Sequence, residues 1–259
     1  MTSPDTQVLM GMVKEKTGYG VSIVVDSKIS THSGMVSASP FQPMHLVQVN
    51  PKYEKYGDYL VAVQCAMLLV KWADPDRIPE FGIRNDRAKS LIVTFSNQAK
   101  KQGLPLEAAN EYAKMIVMGV LQQLNSMPSQ IICMDMITDL CPGLEAIREE
   151  YVSNDLVELT RSFNKKIKKM TPKGIFDRST SMNAAYAIKW SRISGSRTVL
   201  LPYRSMGYIN KGTHLIDAYE EKVQKSDPER HIEIVDSWAK ILKMEDWYEW
   251  RFRKEGKNE

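Results

Sequence analysis

The sequence predicts a mostly helical α+β fold, with a small N-terminal β-sheet packed on a central buried helix. Three observations carry this expectation. Short β-branched runs bounded by turn residues are confined to residues 21–49. Residues 59–70 form a nearly unbroken apolar run, of a length that suits a buried helix. Beyond it, helix-period patterns alternate with Gly and Pro breaks, and no internal repeat is visible.

The elements follow in order. Residues 21–25 (VSIVV) read as a strand closed by the turn Asp26-Ser27. Residues 34–38 are a weaker strand, and residues 45–49 alternate before the stop Asn50-Pro51. A helix is expected from about residues 55–58 to Trp72, with Asp58 in its first turn and Lys71 in its last. From Tyr59 to Val70 its only polar side chain is Gln64, so it has no polar face and belongs at the centre of the fold. Further helices are expected over 84–101 and 106–125. Met127-Pro128 reads as a break before a shorter apolar helix over 131–140. A long amphipathic helix is expected over 144–169, broken near Ser153-Asn154, with residues 171–174 as a loop. Later helices are expected over 181–193, 213–225 and 229–244. Residues 200–210 read as irregular, and Asp227-Pro228 as the cap and first position of the last helix. The tail from Arg251 reads as charged and frayed.

Composition narrows the function classes. The chain has 259 residues, 43% hydrophobic and 25% charged, which is ordinary globular usage. Its 35 basic and 31 acidic residues leave +4, a balance that permits an anionic partner without demanding one. The longest apolar run is too short to span a bilayer, and the first residues lack the pattern of a secretory leader. Three cysteines do not make a disulfide framework, so a reducing cytoplasm and no membrane are expected.

Familiar catalytic motifs are missing. The four histidines (His32, His45, His214, His231) include no i, i+4 pair, and no Cys-x-x-Cys, phosphate-binding glycine loop or nucleophile elbow occurs. One stretch does resemble a known family. Val49-Asn50-Pro51-Lys52-Tyr53, then Asp58-Tyr59-Leu60-Val61-Ala62, leads into Val63-Gln64-Cys65-Ala66-Met67. This is similar to the strand-then-helix entry of zincin-type metallopeptidases, where the helix carries His-Glu-x-x-His. Two histidines at that spacing lie about 40° apart on a helix and bind Zn²⁺, and the Glu is the general base for the bound water. Here Val63 and Met67 hold the histidine slots and Gln64 the glutamate slot. Residues 121–144 resemble the later segment that supplies the third ligand. Met134 stands at the matching position, with Asp135 as the alternative one residue on.

The resemblance implies a zincin-like domain over 1–150 whose site is degenerate, followed by a helical part, 151–259, packed on it as one unit. Val63 cannot ligate a metal, a Met67 thioether is a poor Zn²⁺ ligand, and Gln64 cannot take a proton near neutral pH. The implied function is a catalytically inactive pseudo-peptidase, without metal or cofactor, that binds a protein or peptide. The alternatives are a hydrolase with a non-standard site in the same cleft, and a chain in which Val63 and Met67 are simply core residues.

Two other stretches are candidates for binding. Residues 161–178 hold Arg161, Lys165, Lys166, Lys168, Lys169, Lys173 and Arg178 against the single acid Asp177. Lys165, Lys166, Lys168 and Lys169 suit an anionic partner, nucleic acid included, or else a solvated helix end. Trp247 and Trp250, within an aromatic C-terminal segment, suit either a partner anchor or a segment docked on its own domain. Cys65 and Cys133 lie in the two matched segments and read as inert buried thiols or a redox pair.

Overall fold

A computed structural model of the chain describes residues 2–39, 41–74, 77–223 and 230–253. The fold is a mostly helical α+β arrangement with a small mixed sheet near the N-terminus, as the sequence predicts. It opens on helix α1 (Pro4–Thr17), which the sequence reading leaves unassigned. Ser3 caps it by accepting from the Thr6 N–H at 3.3 Å, and Gly18, at φ 75°, closes it onto the Lys14 carbonyl. Its buried face is Thr6, Leu9, Val13 and Thr17, half of it polar, so the apolar period that marks a helix is faint.

Strands β1 (Gly20–Val25), β2 (Ser33–Val36) and β3 (Met44–Val49) form one sheet in the order β1-β3-β2. β1 runs parallel to β3 and β2 antiparallel. Strand alternation sends His45, Val47 and Val49 to a buried face. Helix α2 (Gly57–Lys71) packs there with α1. It is preceded by a 3-10 turn (Pro51–Tyr56), where Asn50 Oδ1 accepts from the Lys52 N–H at 3.0 Å. Tyr59, Leu60, Val61, Ala62, Cys65, Ala66 and Leu68 of α2 are buried, which makes it the central helix that its sequence implies.

The rest is helical apart from a two-stranded sheet that pairs β4 (Ile78–Ile83) with β5 (Tyr248–Arg253). After β4 come α3 (Asn85–Lys101) and α4 (Leu106–Leu140). The predicted break at Met127-Pro128 does not occur, because α4 continues through Pro128. A mid-helix proline costs about 3 kcal/mol. Leu121, Leu124, Met127, Ile131 and Ile132 are all buried around it and offset that cost. The Asn125 carbonyl, one turn earlier, accepts from His231 Nε2 at 3.3 Å.

Helix α5 (Glu145–Thr160) runs unbroken past Ser153-Asn154. The break falls instead at Arg161–Phe163 and Asn164, whose side chain accepts from the Lys166 N–H and starts α6 (Lys165–Met170). Helix α7 (Lys173–Ser194) begins in the segment read as a loop, because Pro172 serves as its N-cap, and it ends at Gly195, φ 72°. A short α8 (Leu201–Ser205) replaces part of the irregular stretch. Helices α9 (Ile209–Val223) and α10 (Arg230–Leu242) complete the set. The expected cap at Asp227-Pro228 lies outside the described residues, as does the tail beyond Arg253, but residues 251–253, read as the start of a frayed tail, form the end of β5.

The chain clusters into two compact units that are interleaved in sequence. Unit 1 comprises 1–78, 129–152 and 253–259, and unit 2 comprises 79–128 and 153–252. Residues 79–128, which the sequence reading groups with the N-terminal part, cluster with the C-terminal helices. Unit 2 is built on fully buried Trp190, Tyr203, Tyr219 and Trp238, the last donating from Nε1 to the Leu215 carbonyl at 2.8 Å.

Two local features give stability predictions. In unit 2, α7 and α9 approach so closely that a Cβ on Gly212 would sit 2.9 Å from the Ala184 carbonyl carbon and the Ala185 nitrogen. Both neighbours are backbone and cannot swing away. Gly212→Ala is therefore expected to destabilise the protein by about 1–3 kcal/mol, read as a lower urea midpoint.

In unit 1, fully buried His45 accepts from the Ala38 N–H at Nδ1 (3.0 Å), so its proton sits on Nε2 and is donated to Thr17 Oγ1 (3.0 Å). Thr17 passes its own proton to the Val13 carbonyl at 2.8 Å. Burial, and secondarily the Lys71 cation, push the His45 pKa below its ordinary 6.5. The unfolded chain then binds a proton that the folded one refuses. This contribution is complete above about pH 6.5 and is lost as pH falls below it. The wild type should lose stability relative to His45→Asn between about pH 7 and pH 5, and imidazole NMR should place the His45 midpoint below 6.5.

Candidate functional site

The residues matched to a metal site lie on α2 and on the last turns of α4. Both segments belong to unit 1. Val63, Gln64 and Met67 are half-buried on the less covered side of α2, and Met134 is buried. Gln64 is the polar member. Its Nε2 donates to Ser33 Oγ on β2 at 2.9 Å. The register explains the contact, since Ser33 pairs with Val49 and so shares the sheet face that α2 covers. The Met134 carbonyl accepts from Thr138 Oγ1 at 2.6 Å, and Thr138 in turn accepts from buried Arg148 at 2.9 Å. Among the described residues, no group of three His, Cys, Asp or Glu side chains is placed to hold a metal ion.

Beside Ser33 stands a cluster that the sequence reading missed. His32 Nδ1 lies 2.6 Å from Tyr151 Oη, and its ring is tilted over Tyr53 at 3.9 Å between centroids. Tyr56 and Tyr59 pack edge-on or tilted against Tyr151 at 5.3 and 5.2 Å. Tyr56 Oη donates to Glu150 Oε1 at 3.0 Å, and Lys55 Nζ reaches the same oxygen at 2.6 Å. The Lys55 and Tyr56 hydrogen bonds hold the Glu150 carboxyl below its usual range. An imidazole and a phenol at this distance can share a proton. The only trace in sequence is the three-residue spacing of Tyr53, Tyr56 and Tyr59, because His32 and Tyr151 lie far from it along the chain.

The cysteines are free and buried. Burial pushes Cys65 up to about 12, with the nearby Cys141 adding to it, and it pushes Cys141 itself up to about 11. Cys133 is raised further, also by burial. These are protonated thiols. The folded protein should label very slowly with a disulfide reagent and completely after denaturation. Rapid labelling of the folded state would contradict this placement.

In unit 2 the basic stretch divides. Lys168 and Lys169 line a pocket of about 570 Å³, whereas Lys165 and Lys166 on the same short helix do not. The aromatic segment is docked on its own unit. Trp247 is 3% exposed beneath the Arg178 guanidinium at 4.9 Å. Trp250 is half-buried, donates to Asp236 Oδ1 at 2.9 Å and lies near Phe81 and His231. Asp155 is another group without a sequence signal. Burial, aided by the Glu158 charge, pushes its carboxyl up to about 6.

Of the residue pairs that adjacency alone suggests, His214 and Asp217 are both exposed on α9. Glu233 faces Lys222 at 3.6 Å while His231 faces Asn125. No described helix is long and apolar enough to cross a membrane. The chain matches no family model, no curated protein and no solved structure.

Proposed function

We propose that this protein is a catalytically inactive relative of the zincin-type metallopeptidases that acts by binding a protein or peptide. The observation that carries the proposal is the α2 helix itself. It holds Val63, Gln64 and Met67 where the resemblance asks for His, Glu and His, and its one amide is engaged by Ser33. Side chains of these types offer neither a general base nor a competent Zn²⁺ ligand set. The matched positions themselves, Val63, Gln64, Met67 and Met134, fall in one compact unit, which supports reading them together.

Binding is favoured by the face of the sheet that points away from α2. Val24, Val36 and Met44 share that face by register and are each exposed by more than two-fifths. Phe41, in the turn between β2 and β3, is 93% exposed. Exposed apolar side chains clustered on one face mark interaction surfaces more often than they mark bare solvent contact.

Metal analysis of protein purified without a histidine tag should find zinc well below one ion per chain. Near-stoichiometric zinc would overturn the proposal. The double variant Val63→His, Met67→His restores two imidazoles on half-buried positions and should raise zinc affinity over the wild type. In a display screen of extended peptides, apolar sequences should be enriched by the wild type and lost with Val36→Asp, Phe41→Ser. No enrichment by the wild type would count against a binding role.

A further inference from the structure

The pocket in unit 2 is built from three helices. From α3 come Gln98, Lys101 and Gln102, whose i, i+3, i+4 spacing puts them on one helical face. The end of α6 supplies Lys168 and Lys169. The first turns of α7 supply Lys173 and Asp177, again at i, i+4. Gln102 Nε2 donates to the Lys169 carbonyl at 3.3 Å, which ties the α3 wall to the α6 wall.

Its charges are unequally committed. The single carboxylate, Asp177, is held on both sides, by Lys173 Nζ at 2.5 Å and by Tyr208 Oη at 2.5 Å. Its negative charge is thereby spent within the wall. Lys101, Lys168 and Lys169 form no ion pair among the described residues, and Lys168 has only the Phe176 ring, at 5.8 Å, as a soft neighbour. Three exposed lysines without an ion-pair partner among the described residues thus line one cavity. The α7 helix opens on the same cavity at its amino end, which has no side-chain cap, so the dipole of a 22-residue helix adds positive potential there. A void of this size matches small-molecule sites rather than a duplex groove. Lysines act as point charges suited to phosphate oxygens.

We infer that this pocket binds a small phosphate-bearing molecule, an ester or anhydride carrying at least two negative charges. Three like charges held around one cavity repel each other. A polyanion relieves that repulsion, so binding stabilises the folded protein. The site lies wholly in unit 2 and does not depend on the reading of α2.

Isothermal titration calorimetry of the full chain at physiological salt tests the inference with four probes: inorganic pyrophosphate, a nucleoside triphosphate, sulfate at matched ionic strength and a short single-stranded oligonucleotide. Saturable one-to-one binding of pyrophosphate or the triphosphate, with a raised melting temperature, is expected. If only the triphosphate binds, the natural ligand is a nucleotide. If pyrophosphate binds equally well, the phosphate alone suffices. Both outcomes support the site.

Lys101→Glu with Lys168→Glu should weaken binding by about tenfold or more, one decade in Kd. Lys165→Glu with Lys166→Glu, on the same surface but outside the pocket, should change it by less than about twofold, since exposed charges are screened. Lys101→Gln with Lys168→Gln serves if the charge-reversed protein fails to fold. Equal losses in the two charge-reversed variants, sulfate binding as well as pyrophosphate, or binding of the oligonucleotide alone would each overturn the inference.

Discussion

Along the middle of α2 one amide has to be satisfied. Every neighbour of Gln64 from Tyr59 to Val70 is apolar or small, and the helix packs against both α1 and the sheet. Its carboxamide is half-buried, so leaving it without a protein partner costs less than the roughly 1–3 kcal/mol of a fully buried amide. Ser33 supplies the hydroxyl, and the register of β2 against β3 puts that hydroxyl on the covered face. A slip of one residue would turn Ser33 to the opposite face and replace it with Gly34 or His32. The short antiparallel edge strand is therefore fixed by two separate demands, its ladder with β3 and the need of a single side chain on the helix. His32, immediately before the strand, lies against Tyr151 and Tyr53.

The legible parts of the sequence were those with a strong local period. β1, β3, α2 and α3 come within a few residues of their expected bounds, because β-branched runs and an all-apolar helix leave few alternatives. Several misreadings share a cause, which is that tertiary contacts override local signals. α1 buries two threonines among its four core residues, so its amphipathicity is weak. Pro128 reads as a stop, yet buried neighbours on both sides carry the helix through it. β4, with Pro79 and Gly82 inside it, does not look like a strand by itself, whereas β5 alternates aromatic and charged residues from Tyr248 to Arg253, a strand period that the sequence reading passes over. For the sites, the basic stretch was visible as composition. That two of its lysines join Lys101 around a cavity depends on how α3 meets α6, which no spacing within 161–178 contains.

Two centres of chemistry emerge, and they differ in kind. The one in unit 1 is mainly aromatic, with His32, Tyr151 and the single amide of Gln64 held by hydrogen bonds and ring contacts. The one in unit 2 is a cationic cavity whose only carboxylate is neutralised by its own wall. The first suits shape-based recognition, where rigid aromatic contact is obtained at low entropic cost. The second suits charge. In neither are the thiols involved, since burial keeps all three protonated.

The interleaving of the two units has a consequence for assembly. Helix α4 passes from one to the other next to its internal proline, and α5 passes back between Val152 and Ser153. Unit 1 is incomplete until residues 129–152 have been synthesised, and unit 2 until its segments on either side of them are both present. Neither half can be excised as a contiguous gene fragment. During translation, the N-terminal sheet and α2 must wait, with apolar surface uncovered, for partners more than fifty positions downstream, roughly the delay that high contact order imposes on folding.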